Sequence, residues 1–402
     1  MVRWWSRPSP CWGARSSRWL TGSCAVNDGT LQRGLELICQ RVERTLQARP
    51  EGFPHYADPD SGEWTCTDDG DWTGGFWLGM LWLSGLVADD KRRYREAARP
   101  WLKKLALRQD SETVFRGFLF WYGAALGHLL ADDEEARAIA LAGAHSLATL
   151  YNPRAGLIPL GRAAEEFESV GLAETNIDGI AGTTPLLAWA SAELGDSSLK
   201  DVARRHVERH IELCVRSDGS VCQSASVDPE TGRLLRRYTH KGYSGDSTWA
   251  RAQAWGMLGL AQSVAWLDSS FADGACTVAD WWLKHLPHGP VPFWDFDDPD
   301  IPNAPRDTSA AAIVCAALLK LSKLVPSRAQ GYREAAVRTA VHLLREHLTP
   351  RYDGDQRPPG MLLDGCYNRR LGVATRHELI WGDYFLMEAL AGLTGLVDTS
   401  TL

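Results

Sequence analysis

Two tryptophans enclose an arginine in the stretch GYSGDSTWARAQAW, residues 242–255. Arg251 and Trp255 are four residues apart, so on a helix they share one face and the guanidinium lies beside an indole. This combination suits a sugar, because an indole can cover the apolar face of a pyranose ring and arginine can bind its hydroxyl groups. A structural cation–π contact between the two side chains is the alternative interpretation.

Similar aromatic and charged residues stand at or just inside the starts of other apolar segments. The chain has 18 tryptophans against 10 tyrosines and 10 phenylalanines, which predicts a sugar site lined by aromatic faces. The candidates for one mouth of a central cavity are Trp72, Trp77, Asp178, Trp249, Arg251, Trp255, Trp294, Asp295, Arg306, Asp307, Trp381 and Asp383. Simpler roles are favoured for some of the tryptophans and acids: Trp77 and Trp189 as core residues, and Asp71 and Asp307 as helix N-caps.

The elements that position these residues are predicted to be helices, since apolar residues recur at helical spacing from residue 31 onward. Twelve candidates are found, at 31–48, 74–87, 91–107, 116–131, 133–151, 178–194, 197–216, 248–267, 271–286, 307–324, 330–348 and 379–395. Amphipathic segments alternate with segments that are apolar nearly all round, which indicates outer and inner helices. Six of each predict an all-α fold, the (α/α)6 barrel, with an open helical solenoid as the alternative.

No linker or shift in composition divides the helical region, so residues 31–402 are predicted to form a single catalytic barrel domain. Residues 1–30, rich in Trp, Arg and Ser, are predicted to be a disordered extension. They lack the continuous apolar core of a secretory signal.

The composition excludes several classes of protein. A net charge of −7 argues against a nucleic-acid partner, and no apolar run reaches the roughly 18 residues of a membrane span. The nine cysteines are scattered and never spaced C-x-x-C, which favours reduced thiols in a cytoplasmic protein over disulfides or a metal site. The oligomeric state, monomer or homodimer, stays open.

Five ordered blocks resemble glycoside hydrolase family 88, the unsaturated glucuronyl hydrolases, and more distantly family 105, the unsaturated rhamnogalacturonyl hydrolases. They are DWTGGFWLGMLWL, NIDGIAGTTPLLAWA, THKGYSGDSTWARAQAWG, VPFWDFDDPDIPNAPRDTSAAA and IWGDYFLMEAL. The resemblance covers roughly residues 31–396 and implies the same (α/α)6 barrel. It also implies a small oligosaccharide or glycoside substrate that ends in a 4-deoxy-4,5-unsaturated uronic acid.

The chemistry that the resemblance implies does not begin at the anomeric carbon. A carboxylic acid protonates C4 of the enol ether, water adds at C5, and the resulting hemiketal collapses and releases the aglycone. No metal or organic cofactor takes part. The family's acid/base aspartate corresponds to Asp178, for which helix capping is the alternative role. The family's sugar subsite corresponds to Trp249, Arg251 and Trp255, with Arg251 expected to pair with the uronate carboxylate.

Some positions depart from the family pattern. Phe115 stands where the family has a second active-site aspartate, and Val114 replaces the preceding histidine. Gln223 aligns with a further family histidine, and Lys241 replaces a glutamine beside a retained His240. Phe115, Gln223, His240 and Lys241 are therefore predicted, together with Trp72, to bind a substrate that differs from the family's usual ones. A second cation beside Arg251 would suit a carboxylate or a sulfate.

Two other functions remain open from the sequence. A conventional inverting glycosidase on the same barrel needs a second carboxylate about 6.5–9.5 Å from the first. The candidates for that acid are Asp71, Asp246, Asp295 and Asp383. The third hypothesis is a sugar-binding barrel without catalytic activity. The aglycone, the linkage and any preference for sulfate are not determined by the sequence.

Overall fold

The structure, a computed structural model, describes residues 28–164, 174–286 and 289–402. The predicted disordered extension lies outside the described residues except for residues 28–30, which form the first turn of a helix. In the described part of the chain, twelve helices follow one another. They are α1 (Asp28–Ala48), α2 (Gly74–Val87), α3 (Lys91–Ala106), α4 (116–131), α5 (Glu134–Ala148), α6 (Thr183–Leu194), α7 (Ser197–Cys214), α8 (Ala250–Trp266), α9 (Ala272–His285), α10 (Thr308–Leu324), α11 (Ala329–His342) and α12 (Ile380–Leu393).

The even-numbered helices form a closed inner ring. Helix α2 packs on α4, α4 on α6, α6 on α8, α8 on α10, α10 on α12, and α12 again on α2. Their sequences explain this position, since residues 250–264 of α8 and 308–321 of α10 are all buried. The ring confirms the predicted (α/α)6 barrel and excludes the open solenoid.

The odd-numbered helices lie outside the ring, each against an inner neighbour. Helix α3, for example, buries one face formed by Tyr94, Ala98, Trp101, Leu102 and Leu105, and its remaining residues are charged or polar for the most part. Helix α3 packs on α2, α7 on α6, α9 on α8 and α11 on α10. An amphipathic sequence fits this position because only one stripe of the helix meets the core.

Two small antiparallel sheets connect the helices at the loops. The first has the order β2 (Trp64–Thr67), β1 (Phe53–Ala57), β6 (Glu378–Leu379), and the second β3 (Glu174–Asn176), β4 (Ser224–Val227), β5 (Leu234–Tyr238). The first sheet joins the two ends of the chain, because β1 precedes α2 and β6 leads into α12. There the guanidinium of Arg41 binds Glu378 through two hydrogen bonds of 2.9 and 2.6 Å.

One predicted helix begins later than expected. The prediction placed its start at Asp178, but α6 begins at Thr183 and is preceded by a single 3-10 turn, Ile177–Ile180. Gly182, with φ +74°, reverses the chain between the turn and the helix. A side chain there is also excluded, since a Cβ on Gly182 would lie 2.9 Å from the backbone of Gly117 in α4.

Candidate active site

A small pocket opens at the N-terminal ends of the inner helices. Its walls come from the segment before α2, the start of α4, the turn before α6, the loop after β5 and the first turns of α8. The lining residues are Trp72, Phe115, Phe118, Asp178, Lys241, Trp249, Arg251 and Trp255. Seven of these were predicted from the sequence. Phe118 was missed, although it lies three residues after Phe115 and so on the same helical face.

Asp178 is buried, with 7% of its surface exposed, at the wall of this pocket. The 3-10 turn that carries it is closed by a hydrogen bond from the Ala181 N–H to the Asp178 carbonyl. Helix α6 has Gly182 as its N-cap residue, without a side-chain cap. The alternative role of Asp178 as a helix cap is therefore wrong, because the chain leaves the 3-10 turn before the helix starts.

A pair of buried histidines on α7 holds the turn in place. His206 accepts a hydrogen bond from the Ile158 N–H at its Nδ1 (3.0 Å), which leaves Nε2 to donate to the Gly179 carbonyl (3.2 Å). His210 donates from Nδ1 to the His206 carbonyl (2.7 Å). Burial lowers the pKa of His206 well below its usual value and that of His210 to about 4. Both rings are therefore neutral at physiological pH.

Gln223 connects the acid turn to the loop that carries Lys241. Its backbone carbonyl accepts the N–H of Ile177 at 2.8 Å, and its side-chain Oε1 accepts the N–H of Lys241 at 2.7 Å. Gln223 is fully buried and lies outside the pocket lining. Gln223 therefore holds the acid turn and the Lys241 loop together, and its direct contact with the substrate stays a prediction.

Lys241 and His240 follow β5 but differ in position. Lys241 lines the pocket, and its ammonium group lies 5.2 Å from the ring centroid of Tyr367. His240 is half-buried outside the lining, and its backbone carbonyl accepts a hydrogen bond from Arg370 at 2.8 Å. Of these two neighbours, only Lys241 lines the pocket.

The guanidinium of Arg251 lies over Trp249, 4.4 Å from the ring centroid, and 5.5 Å from that of Trp381. The sequence placed Arg251 beside Trp255, and both line the pocket, but the cation–π contacts of the guanidinium are with Trp249 and Trp381. Trp249 is the N-cap residue of α8 with an extended backbone, so its indole folds back over the first helical turn. Arg251 therefore meets the ring that precedes the helix rather than the one a turn later.

Arg251 is also the centre of a buried polar network. Its Nη1 binds Asp307 at 2.6 Å and the Cys366 carbonyl, and its Nη2 donates to the Tyr367 carbonyl. Asp307 caps α10 as predicted, through the Ser309 N–H, so one carboxylate serves both the helix and the guanidinium. Arg251 lines the pocket and at the same time holds α10 and the 366–367 loop against α8.

Four aromatic rings form another part of the wall. Phe115 and Phe118 are stacked, with centroids 5.9 Å apart and an interplanar angle of 11°. Trp72 lies 6.4 Å from Phe115, and Trp255 lies 4.8 Å from Phe118. This part of the pocket can cover the apolar surface of a ligand.

The candidates for a second acid all lie outside the pocket lining. Asp295 accepts hydrogen bonds from Ser247 Oγ (2.7 Å) and the Tyr243 N–H (2.8 Å), and burial raises its pKa. Burial, followed by the neighbouring Glu378, raises the pKa of Asp383 well above its usual value.

The other two candidates lie at the surface or in a turn. Asp246 is exposed, and Asp71 has φ +43°. Asp71 is not the predicted N-cap of α2, because Thr73 holds that position. Among the residues that the structure describes, Asp178 is thus the single carboxyl group in the pocket lining.

The described segments contain no group of three or more His, Cys, Asp or Glu side chains that could hold a metal ion. Nor does any helix within them have the length and apolar character needed to cross a bilayer.

A closed ring of helices with a carboxyl group, two cations and aromatic walls at one mouth defines a carbohydrate-active (α/α)6 barrel. A scan against family models finds no match. Over 365 residues the chain is 34% identical to the unsaturated glucuronyl hydrolase of Bacillus sp. strain GL1, covering 88% of this chain and 94% of that protein. Over 368 residues it is 30% identical to the unsaturated chondroitin disaccharide hydrolase of Streptococcus pneumoniae, covering 89% and 90%.

The crystal structure of unsaturated glucuronyl hydrolase from Bacillus sp. GL1 superimposes with a TM-score of 0.82. The two chains are 30% identical in that alignment, which covers 90% of this chain and 96% of the other. The chain therefore belongs to the family of unsaturated glucuronyl hydrolases and is a hydrolase of the glycosidase type.

Proposed function

We propose that this protein releases a 4,5-unsaturated uronic acid from a small saccharide or glycoside by hydration of the C4=C5 double bond. The observation that carries the proposal is the position of Asp178, a carboxyl group within an aromatic pocket that also contains Lys241 and Arg251. Membership in the family supports the same reaction.

In the proposed reaction, the protonated carboxyl group of Asp178 donates its proton to C4, and positive charge develops at C5 and the ring oxygen. A water molecule adds to C5 while the Asp178 carboxylate takes up one of its protons, which restores the acid. The C5 hemiketal then opens to a ketone, and the C1 hemiacetal that this frees expels the aglycone as an alcohol.

The pocket assigns complementary roles to its other residues. Lys241 places positive charge on the side where the uronate carboxylate would bind, and the buried setting strengthens that attraction. Arg251 lines the same pocket with its charge balanced by Asp307, and its proposed role is to donate a hydrogen bond to that carboxylate. Trp72, Trp249 and Trp255 cover the faces of the flat, unsaturated ring. Gln223 and His240 lie outside the pocket lining, and their proposed role is to hold the loop that carries Lys241.

An isotope experiment tests the mechanism. With an unsaturated disaccharide in deuterated water, deuterium is expected at C4 of the product. In H₂¹⁸O, the label is expected first at C5. Solvent label at C1 with an intact C4=C5 bond would contradict the proposal, because that is the outcome of attack at the anomeric carbon.

The two alternatives receive less support. A conventional inverting glycosidase needs a second carboxylate in the pocket, and none of the four candidates lines it among the described residues. A sugar-binding barrel without activity would bind the disaccharide and leave its enol-ether absorbance unchanged. A steady loss of that absorbance would exclude this alternative.

We also infer that residues 31–402 act as one domain and that the protein resides in the cytoplasm. The seven described cysteines are free thiols, which supports a reducing compartment. Fractionation of the source cells, followed by detection of the protein in each fraction, tests the location.

A further inference from the structure

The turn that carries Asp178 has a different neighbour on each side. On the side of residue 177, Gln223 binds both the Ile177 N–H and the Lys241 N–H, at 2.8 and 2.7 Å. This bridge fixes the position of Lys241 next to the acid turn. The positive end of the pocket therefore lies on this side of the carboxyl group.

On the other side, the turn packs against the segment that begins α4. A Cβ on Gly179 would lie 3.1 Å from Cγ1 and Cγ2 of Val114, so the turn is in close contact with the residue before Phe115. Phe115 is the N-cap residue of α4 and lines the pocket. Along the wall, the order is consequently Lys241, Asp178, Phe115.

At the Phe115 end of the wall, the lining residues that the structure describes are aromatic. Phe115 and Phe118 are stacked and carry no donor or acceptor. Trp72 adjoins them, and its buried indole N–H, which has no hydrogen-bond partner among the described residues, is the one polar group of these three side chains. A hydroxyl group directed at the two phenyl rings would lose its hydrogen bonds to water without gaining new ones.

The reacting sugar has a matching order of atoms. C5 carries the carboxylate, C4 receives the proton and C3 follows. With C4 at Asp178 and the carboxylate toward Lys241, the substituent on C3 points toward Phe115. The aglycone on C1 is then left to face the opening of the pocket.

We propose that Phe115 is a specificity-determining residue that selects unsaturated uronides with an apolar group at C3, either a deoxy carbon or an O-alkyl ether. This inference rests on the function proposed above. Contact between such a group and the stacked rings stabilises the complex, whereas a free 3-hydroxyl group is desolvated without a partner.

The experiment compares two methyl glycosides of the 4,5-unsaturated uronic acid that are identical except at C3, one 3-hydroxy and one 3-deoxy. The readout is kcat/KM, followed by loss of the enol-ether absorbance. For the wild type, the 3-deoxy glycoside is expected to be favoured by roughly tenfold or more. Phe115→Asn, which supplies a donor and an acceptor, should reverse the preference. Phe115→Leu, which keeps the wall apolar, should retain it.

A binding measurement covers the case in which Phe115→Asn fails to fold. The dissociation constants of both glycosides are measured by calorimetry on the Asp178→Asn protein, where the 3-deoxy compound should again bind about tenfold more tightly. Turnover of both glycosides with the 3-hydroxy compound equal or preferred would overturn the inference and leave the proposed function intact. Preferential binding of the 3-deoxy compound by the wild type without any turnover would support the inference about Phe115 and contradict the proposed function.

Discussion

At the scale of single residues, Asp178 differs from every other candidate acid in its surroundings. Asp295 and Asp307 are committed to hydrogen bonds or to an ion pair within the protein, and Asp383 is buried beside Glu378. Asp178 instead lines the pocket, beside Phe115, Lys241 and Arg251. Its role therefore depends on where the chain places it, since aspartates are frequent in all these loops.

Asp178→Asn is expected to lower kcat by about 10²–10⁴-fold or more, because the amide keeps the shape of the side chain but has no acidic proton for C4. Binding of the substrate should change little, as judged by calorimetry. Asp246→Asn is the control, since this exposed aspartate lies outside the pocket lining and should leave the rate unaltered. Near-normal turnover by a folded Asp178→Asn protein would remove Asp178 from the mechanism.

At the scale of elements, the pocket depends on contacts between helices that are far apart in the chain. The Arg251–Asp307 pair joins α8 to α10, and both side chains are almost completely buried, at 1% and 0% exposure. A buried ion pair adds little over a well-packed apolar pair, but loss of one partner leaves an uncompensated charge.

Arg251→Met is expected to lower the free energy of unfolding by about 3–5 kcal/mol, measured by urea denaturation, because Asp307 is left buried and unpaired. The double variant Arg251→Met/Asp307→Asn should recover part of the loss, since asparagine is neutral and still caps α10. Lys323→Met breaks an exposed pair with Asp398 and is expected to cost less than about 1 kcal/mol. Similar losses for Arg251→Met and Lys323→Met would contradict this account.

The comparison of sequence and structure is most informative at this scale. Helices α2 and α10 were predicted closely, because they are apolar on all sides and bounded by polar loops. The start of α6 was placed five residues early, since GIAGTTP continues the apolar pattern through the 3-10 turn. Gly182 and Pro185 are the local signals that were available: a glycine that can reverse the chain, and a proline in the first turn of a helix.

The sequence predicted most of the residues that line the candidate site, but it did not predict which of them contact each other. Residue spacing suggested that Arg251 would meet Trp255, yet the indole of Trp249 reaches it from the extended N-cap position. The partner carboxylate, Asp307, is 56 residues away in the chain. Pairings of this kind follow from the closure of the ring, which local sequence patterns do not describe.

At the scale of the whole molecule, the stability of the barrel is expected to depend on pH through His206 and His210. Both imidazoles are neutral in the folded protein, and each ring nitrogen has a fixed donor or acceptor role. In the unfolded chain they bind protons near pH 6.5, whereas the folded pKa of His210 is about 4. The unfolded state therefore takes up more protons as the pH falls from about 6.5 toward 4, and stability decreases over that range.

The free energy of unfolding should fall between pH 7.5 and pH 5.0 by up to about 2 kcal/mol for each imidazole. His210→Gln removes one titrating group, so its loss over the same interval should be smaller than that of the wild type. Urea denaturation at the two pH values measures both. An equal loss in the two proteins would show that His210 does not contribute to the acid sensitivity.

The junction of β1 with β6 determines when the nascent chain can become active. Arg41 leaves the ribosome well before its partner Glu378, which lies 337 residues further along the chain. Trp72, in the pocket wall, likewise packs against a residue that is synthesised much later, Trp381, with ring centroids 4.8 Å apart. A stop codon before residue 378 would therefore release a polypeptide with most of its helices but neither a closed ring nor a supported pocket. Such a product would expose apolar helix faces and become a substrate for chaperones and proteases.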